Sequence, residues 1–123
     1  PFYPSNQCWR NGEIASHASD KFLNLIGQTS LRELLGIISQ ASVFITNDTG
    51  PMHAANALRV PVVAIFGPTD PRVTAPFHPP ATVIHRKNIP CWPCSYRRCP
   101  YDHRCMLEIP TAEVFDAAAA YIP

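Results

Sequence analysis

The chain carries little charge and almost none of it is net: 10 Lys and Arg stand against 9 Asp and Glu in 123 residues, a formal +1. So even a balance offers no long-range field to draw in nucleic acid, and no nucleic-acid partner is expected. No apolar run approaches the roughly 20 residues that a membrane-spanning helix needs. The N-terminus shows no charged segment followed by an apolar one, as a secretion signal would, so the expected compartment is the cytoplasm. Also missing are a Walker phosphate loop and a Gly-x-Gly-x-x-Gly fingerprint. What remains is a folded domain: 46% of residues are hydrophobic and only 15% charged, in a length that closes one core.

Proline and cysteine, by contrast, are concentrated. Eight of the 14 prolines fall between Pro68 and Pro100, and four of the five cysteines between Cys91 and Cys105. Proline fixes φ and removes a backbone donor, so that stretch should be ordered loop. In a cytoplasm the cysteines would be reduced thiols.

Residues 1–20 show no clear period and are hard to place; residues 21–123 read as one domain with a Pro- and Cys-rich loop at 86–106. Phe22-Leu23-Asn24-Leu25-Ile26 suggests a short buried strand closed by Gly27. Ser30 and Glu33 make a capping-box signature. Leu31, Leu34, Leu35 and Ile38 then lie on one face of a helix reaching about Ala41. Val43 to Thr46 predicts a second strand. Pro51 suits the first turn of a helix running to Leu58. Pro61 to Phe66 is apolar throughout, as a parallel strand covered on both faces should be. Thr82 to His85 suggests a fourth strand. Thr111 is placed to cap a last helix carrying Val114, Phe115, Ala118 and Tyr121. Alternating strands and helices predict an α/β domain, a Rossmann-like parallel sheet flanked by helices.

In such sheets ligands bind at the carboxyl ends of the strands, which selects two loops. In the first, Asp48-Thr49-Gly50-Pro51-Met52-His53, first-turn N–H groups and the helix dipole make an anion site suited to a diphosphate. Gly50 permits close approach and the Thr49 hydroxyl can donate. Asp48, itself anionic, suits sugar hydroxyls; alternatively it satisfies backbone donors at the helix start. His53 can donate to a phosphate or hydroxyl oxygen, or be an ordinary first-turn histidine. In the second, Gly67-Pro68-Thr69-Asp70-Pro71-Arg72, Thr69 and Asp70 can complete the site and Arg72 can neutralise phosphate. The alternative is a Pro-rich turn in which Asp70 makes local hydrogen bonds.

Asn47-Asp48-Thr49-Gly50-Pro51-Met52-His53 and the later Val60 to Pro71 stretch, with Phe66-Gly67-Pro68-Thr69-Asp70-Pro71, closely resemble the C-terminal domain of glycosyltransferase family 9. The resemblance begins near Leu25 and runs to about Ile109. The cysteine string, with Cys91-x-Pro93-Cys94, Cys99-Pro100 and His103-Arg104-Cys105-Met106, is similar to the heptosyltransferase II branch. The resemblance implies the C-terminal half of a GT-B fold. It further implies inverting transfer of heptose from ADP-heptose to the lipopolysaccharide inner core, with no metal or other cofactor. Carried over by motif, Asp48 would bind heptose hydroxyls, and Thr49, Gly50 and His53 would surround the diphosphate, with Pro51 and Met52 in the same donor-binding stretch. Thr69, Asp70 and Arg72 are further donor-side candidates. The family's catalytic-base aspartate lies in an N-terminal domain that this sequence does not include, so no catalytic residue is assigned here. The expectation is a chain that binds donor without turnover. Lys21 is misplaced for the family's donor-side lysine, and Glu13 is the nearest candidate for its ribose-binding acid. A UDP-sugar transferase or epimerase is the rival enzyme; nucleotide preference separates the two.

Cys91, Cys94, Cys99 and Cys105, with His103 as a substitute, can be read as a tetrahedral zinc site, as disulfides, or as reduced structural thiols. The zinc reading would suit a non-catalytic interaction module. Arg86, Lys87, Arg97, Arg98 and Arg104 against Asp102 suggest a basic patch, either for a phosphorylated acceptor and the anionic face of the inner membrane or simply solvated.

Overall fold

The computed structural model describes residues 22–123 except 95 and 97. The chain divides into two compact units, Pro1–Ser30 and Leu31–Pro123. Glu13, Lys21, Cys8 and Arg97 lie outside the described residues.

In the first unit the expected strand at Phe22–Ile26 does not form: Phe22–Leu25 is irregular and leads into a turn at Ile26–Gly27. The Asn24 side chain offers a local acceptor: Oδ1 takes the Ile26 N–H at 3.1 Å, and Gln28 N–H reaches Leu25 O at 3.0 Å. Gly27 closes the turn at φ 71°, where a Cβ would be strained. Leu23 is 73% exposed, which a half-buried strand would not allow.

The second unit runs α1 (Leu31–Ser39), β1 (Phe44–Asn47), α2 (Gly50–Ala57), β2 (Val62–Phe66), α3 (Pro71–Thr74), β3 (Ala81–His85), α4 (Arg104–Leu107) and α5 (Thr111–Ala119). The strands form one parallel sheet in the order β1-β2-β3. Phe44 aligns with Val62, and Val62 in turn with Ala81. The expected strands at Val43–Thr46, Pro61–Phe66 and Thr82–His85 are therefore β1 to β3, each within a residue of its predicted start.

The continuous apolar run of β2 is explained by what covers it. Val62, Ala64 and Phe66 point into one cluster with Ile38 of α1 and Met52 and Ala55 of α2. Val63 points the other way, into a cluster with Ile84 of β3 and Ala118 of α5. A period of two on a strand with helices on both faces makes every position apolar. Each fully buried Val or Phe contributes about 1.5–3 kcal/mol. The α1 stripe is buried at Ile38 and partly at Leu34 and Leu35, whereas Leu31, on the first turn, is 72% exposed. Thr111 is the first residue of α5 rather than its cap, a position held by Pro110. Tyr121 beyond α5 is tied to β3 through its hydroxyl, 2.8 Å from that of Thr82. Phe115 faces outward, 71% exposed.

Candidate functional site

Parallel pairing sends all three strands out at one edge. Asn47, the last residue of β1, pairs with Ile65, and Phe66, the last of β2, pairs with His85, the last of β3. Asp48 and Thr49 therefore leave the sheet beside Gly67–Asp70, and the chain leading to the cysteine loop leaves β3 on the other side of Gly67–Asp70. The first loop is tied to the helix that the second loop opens: the Thr74 hydroxyl, at the end of α3, donates to Asp48 Oδ2 at 3.1 Å. Asp48 accepts from a hydroxyl here and does not cap a helix. The sequence does not single out Thr74, because nothing in a one-turn helix marks which residue will face a neighbouring strand end.

The helix start beside Asp48 is left without a side-chain cap. Thr49 is the cap residue of α2, yet its hydroxyl makes no capping bond. It lies 3.3 Å from Asn47 O and 3.3 Å from the Thr46 hydroxyl, both at the long end for O–H···O contacts. A ligand oxygen can displace contacts that long. Two of the expected first-turn donors are spoken for, because Pro51 has no N–H and Met52 donates back to Thr49 O at 3.1 Å. The backbone contribution of this helix end is thus narrower than the motif alone suggests, and centres on Gly50. No side-chain atom crowds the position where a Gly50 Cβ would stand.

Met52 itself departs from expectation. Its side chain is fully buried in the core under β2, so it anchors the helix and does not face a ligand. His53 is half-buried, its ring 6.2 Å from that of Phe77 at an interplanar angle of 35°. Asn56, one turn further on, is only 4% exposed. Its amide donates to His78 O at 2.6 Å and accepts the His78 N–H at 3.0 Å, clamping the chain after α3 onto α2.

The second loop is self-satisfied. Asp70 caps α3 through the Arg72 N–H at 2.9 Å and holds the Arg72 guanidinium at 2.6 to 3.1 Å. Those bonds keep the Asp70 carboxyl below its ordinary range and push Arg72 upward. The local-turn reading of Asp70 is the one the geometry carries, and the Arg72 charge is already matched. Thr69, Asp70 and Thr74, with Pro68, Val73, Pro93 and Cys94, line a cavity of about 390 Å³, within the size range of small-molecule sites. Met106 packs closely on Gly67: a Cβ there would stand 2.7 Å from Met106 Sδ, so that flexible side chain would have to move.

The cysteine loop packs against the second loop through Cys94 N–H to Pro68 O at 2.9 Å. Cys91, Cys94, Cys99 and Cys105 are all free thiols and line one cavity of about 470 Å³. Burial and the neighbouring thiols raise the Cys105 pKa. Among the described residues no set of three or more His, Cys, Asp or Glu side chains is arranged to hold a metal ion. Two arginines of the expected basic patch are matched by acids: Arg86 pairs with Glu113 across to α5, and Arg104 with Asp102 at 2.6 Å. Asp102 is held down at about 2 by that guanidinium. His85, at the end of β3, packs its ring 5.4 Å from that of Trp92. No described helix is long and apolar enough to cross a membrane.

This arrangement has relatives. The model of glycosyltransferase family 9 (heptosyltransferase) matches residues 5–104, starting upstream of Leu25, where the sequence motifs begin. Lipooligosaccharide heptosyltransferase 2 of Campylobacter jejuni is 34% identical over 107 residues, covering 86% of this chain and 34% of that protein. Lipopolysaccharide heptosyltransferase 2 of Salmonella typhimurium is 43% identical over 61 residues, 50% of this chain and 18% of that protein. The solved E. coli ADP-heptose LPS heptosyltransferase II superposes with a TM-score of 0.76 at 26% identity, over 95% of this chain and 34% of that one. The chain spans about a third or less of the length of these relatives. Its Rossmann-like sheet corresponds to one half of a GT-B fold. With the family model matching most of its length, the chain belongs to glycosyltransferase family 9.

Proposed function

We propose that this chain is the donor-binding domain of a glycosyltransferase that moves heptose from ADP-heptose to the lipopolysaccharide inner core. The observation that supports the reading is that both motif loops leave the carboxyl edge of one parallel sheet, with Asp48 bonded to Thr74 of the following helix beside an uncapped helix start. Gly50 N–H and the dipole of α2 would hold the diphosphate. Thr49 and His53 would donate to its oxygens, and Asp48 would accept from heptose hydroxyls. Those donors are best used as the diphosphate departs and its charge grows, while an acceptor hydroxyl displaces it at the anomeric carbon. The base that takes the acceptor proton would come from a partnering N-terminal domain. The acceptor, that domain, and a peripheral association with the inner membrane from the cytoplasmic side are the partners implied.

Titration calorimetry of the chain with ADP, UDP and GDP tests the reading, repeated on His53→Ala. ADP binding that the substitution weakens is the expected result. A preference for UDP would move the substrate and keep the fold, and no binding to any of the three would sink the donor assignment.

A further inference from the structure

Phe77 poses a question that the donor site does not answer. It is 80% exposed, so its ring adds little to the core, yet the chain that carries it is held firmly. Both backbone polar groups of His78 are bonded to the buried amide of Asn56, at 2.6 and 3.0 Å. Pro76, Pro79 and Pro80 further restrict the backbone on either side. A buried asparagine on α2 therefore holds the backbone next to an exposed aromatic residue, whose ring meets that of His53 with centroids 6.2 Å apart and tilted by 35°. That separation is within the range of an interacting aromatic pair. Helical side chains lean toward the N-terminus, which for α2 is the end at Gly50.

We propose that Phe77 is a positioning residue: carried on the Asn56 clamp, its ring holds the His53 imidazole in the orientation that serves the anion end of α2. The proposal rests on the donor-site reading for its function, but the ring contact is testable without any ligand. A half-buried imidazole on the first turns of a helix has several rotamers. One aromatic wall removes some of them before the ligand arrives, and ligand binding then costs less ordering.

The experiment uses the full chain and its Phe77→Leu, Phe77→Tyr, Asn56→Ala and His53→Ala variants, with two readouts. The first is the proton NMR of the His53 ring, identified by its loss in His53→Ala. Phe77→Leu should shift these resonances as the ring current is removed, Asn56→Ala should shift them as the clamped backbone lets the ring move away, and Phe77→Tyr should leave them in place. The second is ADP affinity by calorimetry. Phe77→Leu should weaken it about two- to tenfold, the scale of an aromatic pair. The same change made on His53→Ala should cost nothing more, and Phe77→Tyr should restore the affinity. Unmoved His53 resonances in Phe77→Leu would overturn the proposal. An equal affinity loss in both backgrounds would also overturn it, because Phe77 would then be touching the nucleotide itself. If the unaltered chain binds no ADP, the donor reading falls, and the ring resonances still decide whether Phe77 holds His53.

Discussion

The two loops that leave β1 and β2 occupy equivalent places in the sheet and spend their polar groups in opposite ways. After β2, Asp70 caps its own one-turn helix and pairs with Arg72, so acid, base and backbone are satisfied within three residues. After β1, the cap residue Thr49 makes no capping bond, and Asp48 turns away from its helix to a hydroxyl 26 residues on. The second loop closes on itself, and the first leaves its helix start without a side-chain cap. A helix end with exposed donors and no cap is less stable by about 0.5–2 kcal/mol than a capped one. Retaining that cost at the edge where parallel sheets bind ligands is the expected mark of a site.

Met52 lies inside the first loop's motif but is buried in the core. Met52→Ala should lower the unfolding free energy by about 2–5 kcal/mol in denaturant titration, and Met52→Leu by less than about 1.5 kcal/mol. In both, ADP affinity per folded molecule should be unchanged. Intact stability with lost ADP binding in Met52→Ala would return this side chain to the site and contradict its burial.

Asp48 against Asp70 is the direct contrast. Asn is close in size and still accepts from Thr74, so Asp48→Asn removes mainly the charge. Loss of one or more charge-assisted bonds to sugar hydroxyls should weaken ADP-heptose roughly ten- to a hundredfold, with ADP little affected. Asp70→Asn should change either affinity by no more than about twofold, because Asp70 is spent on its own helix and on Arg72. Equal losses at the two positions, measured by calorimetry, would mean that the second loop opens its ion pair to the ligand and that the contrast is only one of the unliganded state.

Much of this was legible in advance, for reasons that can be named. The β2 strand is apolar at every position because helices cover both its faces, and that uniform apolar run is what marked it as a parallel strand. The sheet and the two loops followed from alternation, and the family motifs lie on those loops. The strand at Phe22–Ile26 failed because periodicity weighs Leu25 and Ile26 but not Asn24, whose side chain offers the backbone a turn. Phe115 and Leu31 sit on helical apolar stripes and still face solvent, since a stripe does not reveal how wide the surface opposite it is. The residues that sequence reading missed, Thr74, Asn56 and Phe77, act through partners 26, 22 and 24 positions away, and no local pattern encodes such pairings. Charge matching was hidden for the same reason: Glu113, which takes Arg86 out of the basic patch, is 27 residues downstream.

The self-satisfied loop after β2 has a counterpart elsewhere in the chain. Its Asp-x-Arg pattern recurs at Asp102 and Arg104, again just ahead of a one-turn helix, with the same guanidinium-to-carboxylate bonds. Arg104 holds the Asp102 carboxyl at about 2, below the roughly 3.9 of an unfolded aspartate. Because the folded value is the lower one, the stabilisation is complete above about pH 4 and is lost as pH falls through about 2. Carbon NMR titration should therefore find the Asp102 midpoint near 2 in the intact chain, and Arg104→Gln should bring it back toward about 3.9. The pair is exposed, so added salt should move the intact midpoint part of the same way. Arg72→Gln should raise Asp70 in the same direction. A midpoint for Asp102 that ignores both Arg104 and salt would mean that the backbone N–H groups hold the charge. The Asp-x-Arg unit would then be a capping turn with an incidental arginine, and the second loop would have a guanidinium to offer a phosphate after all.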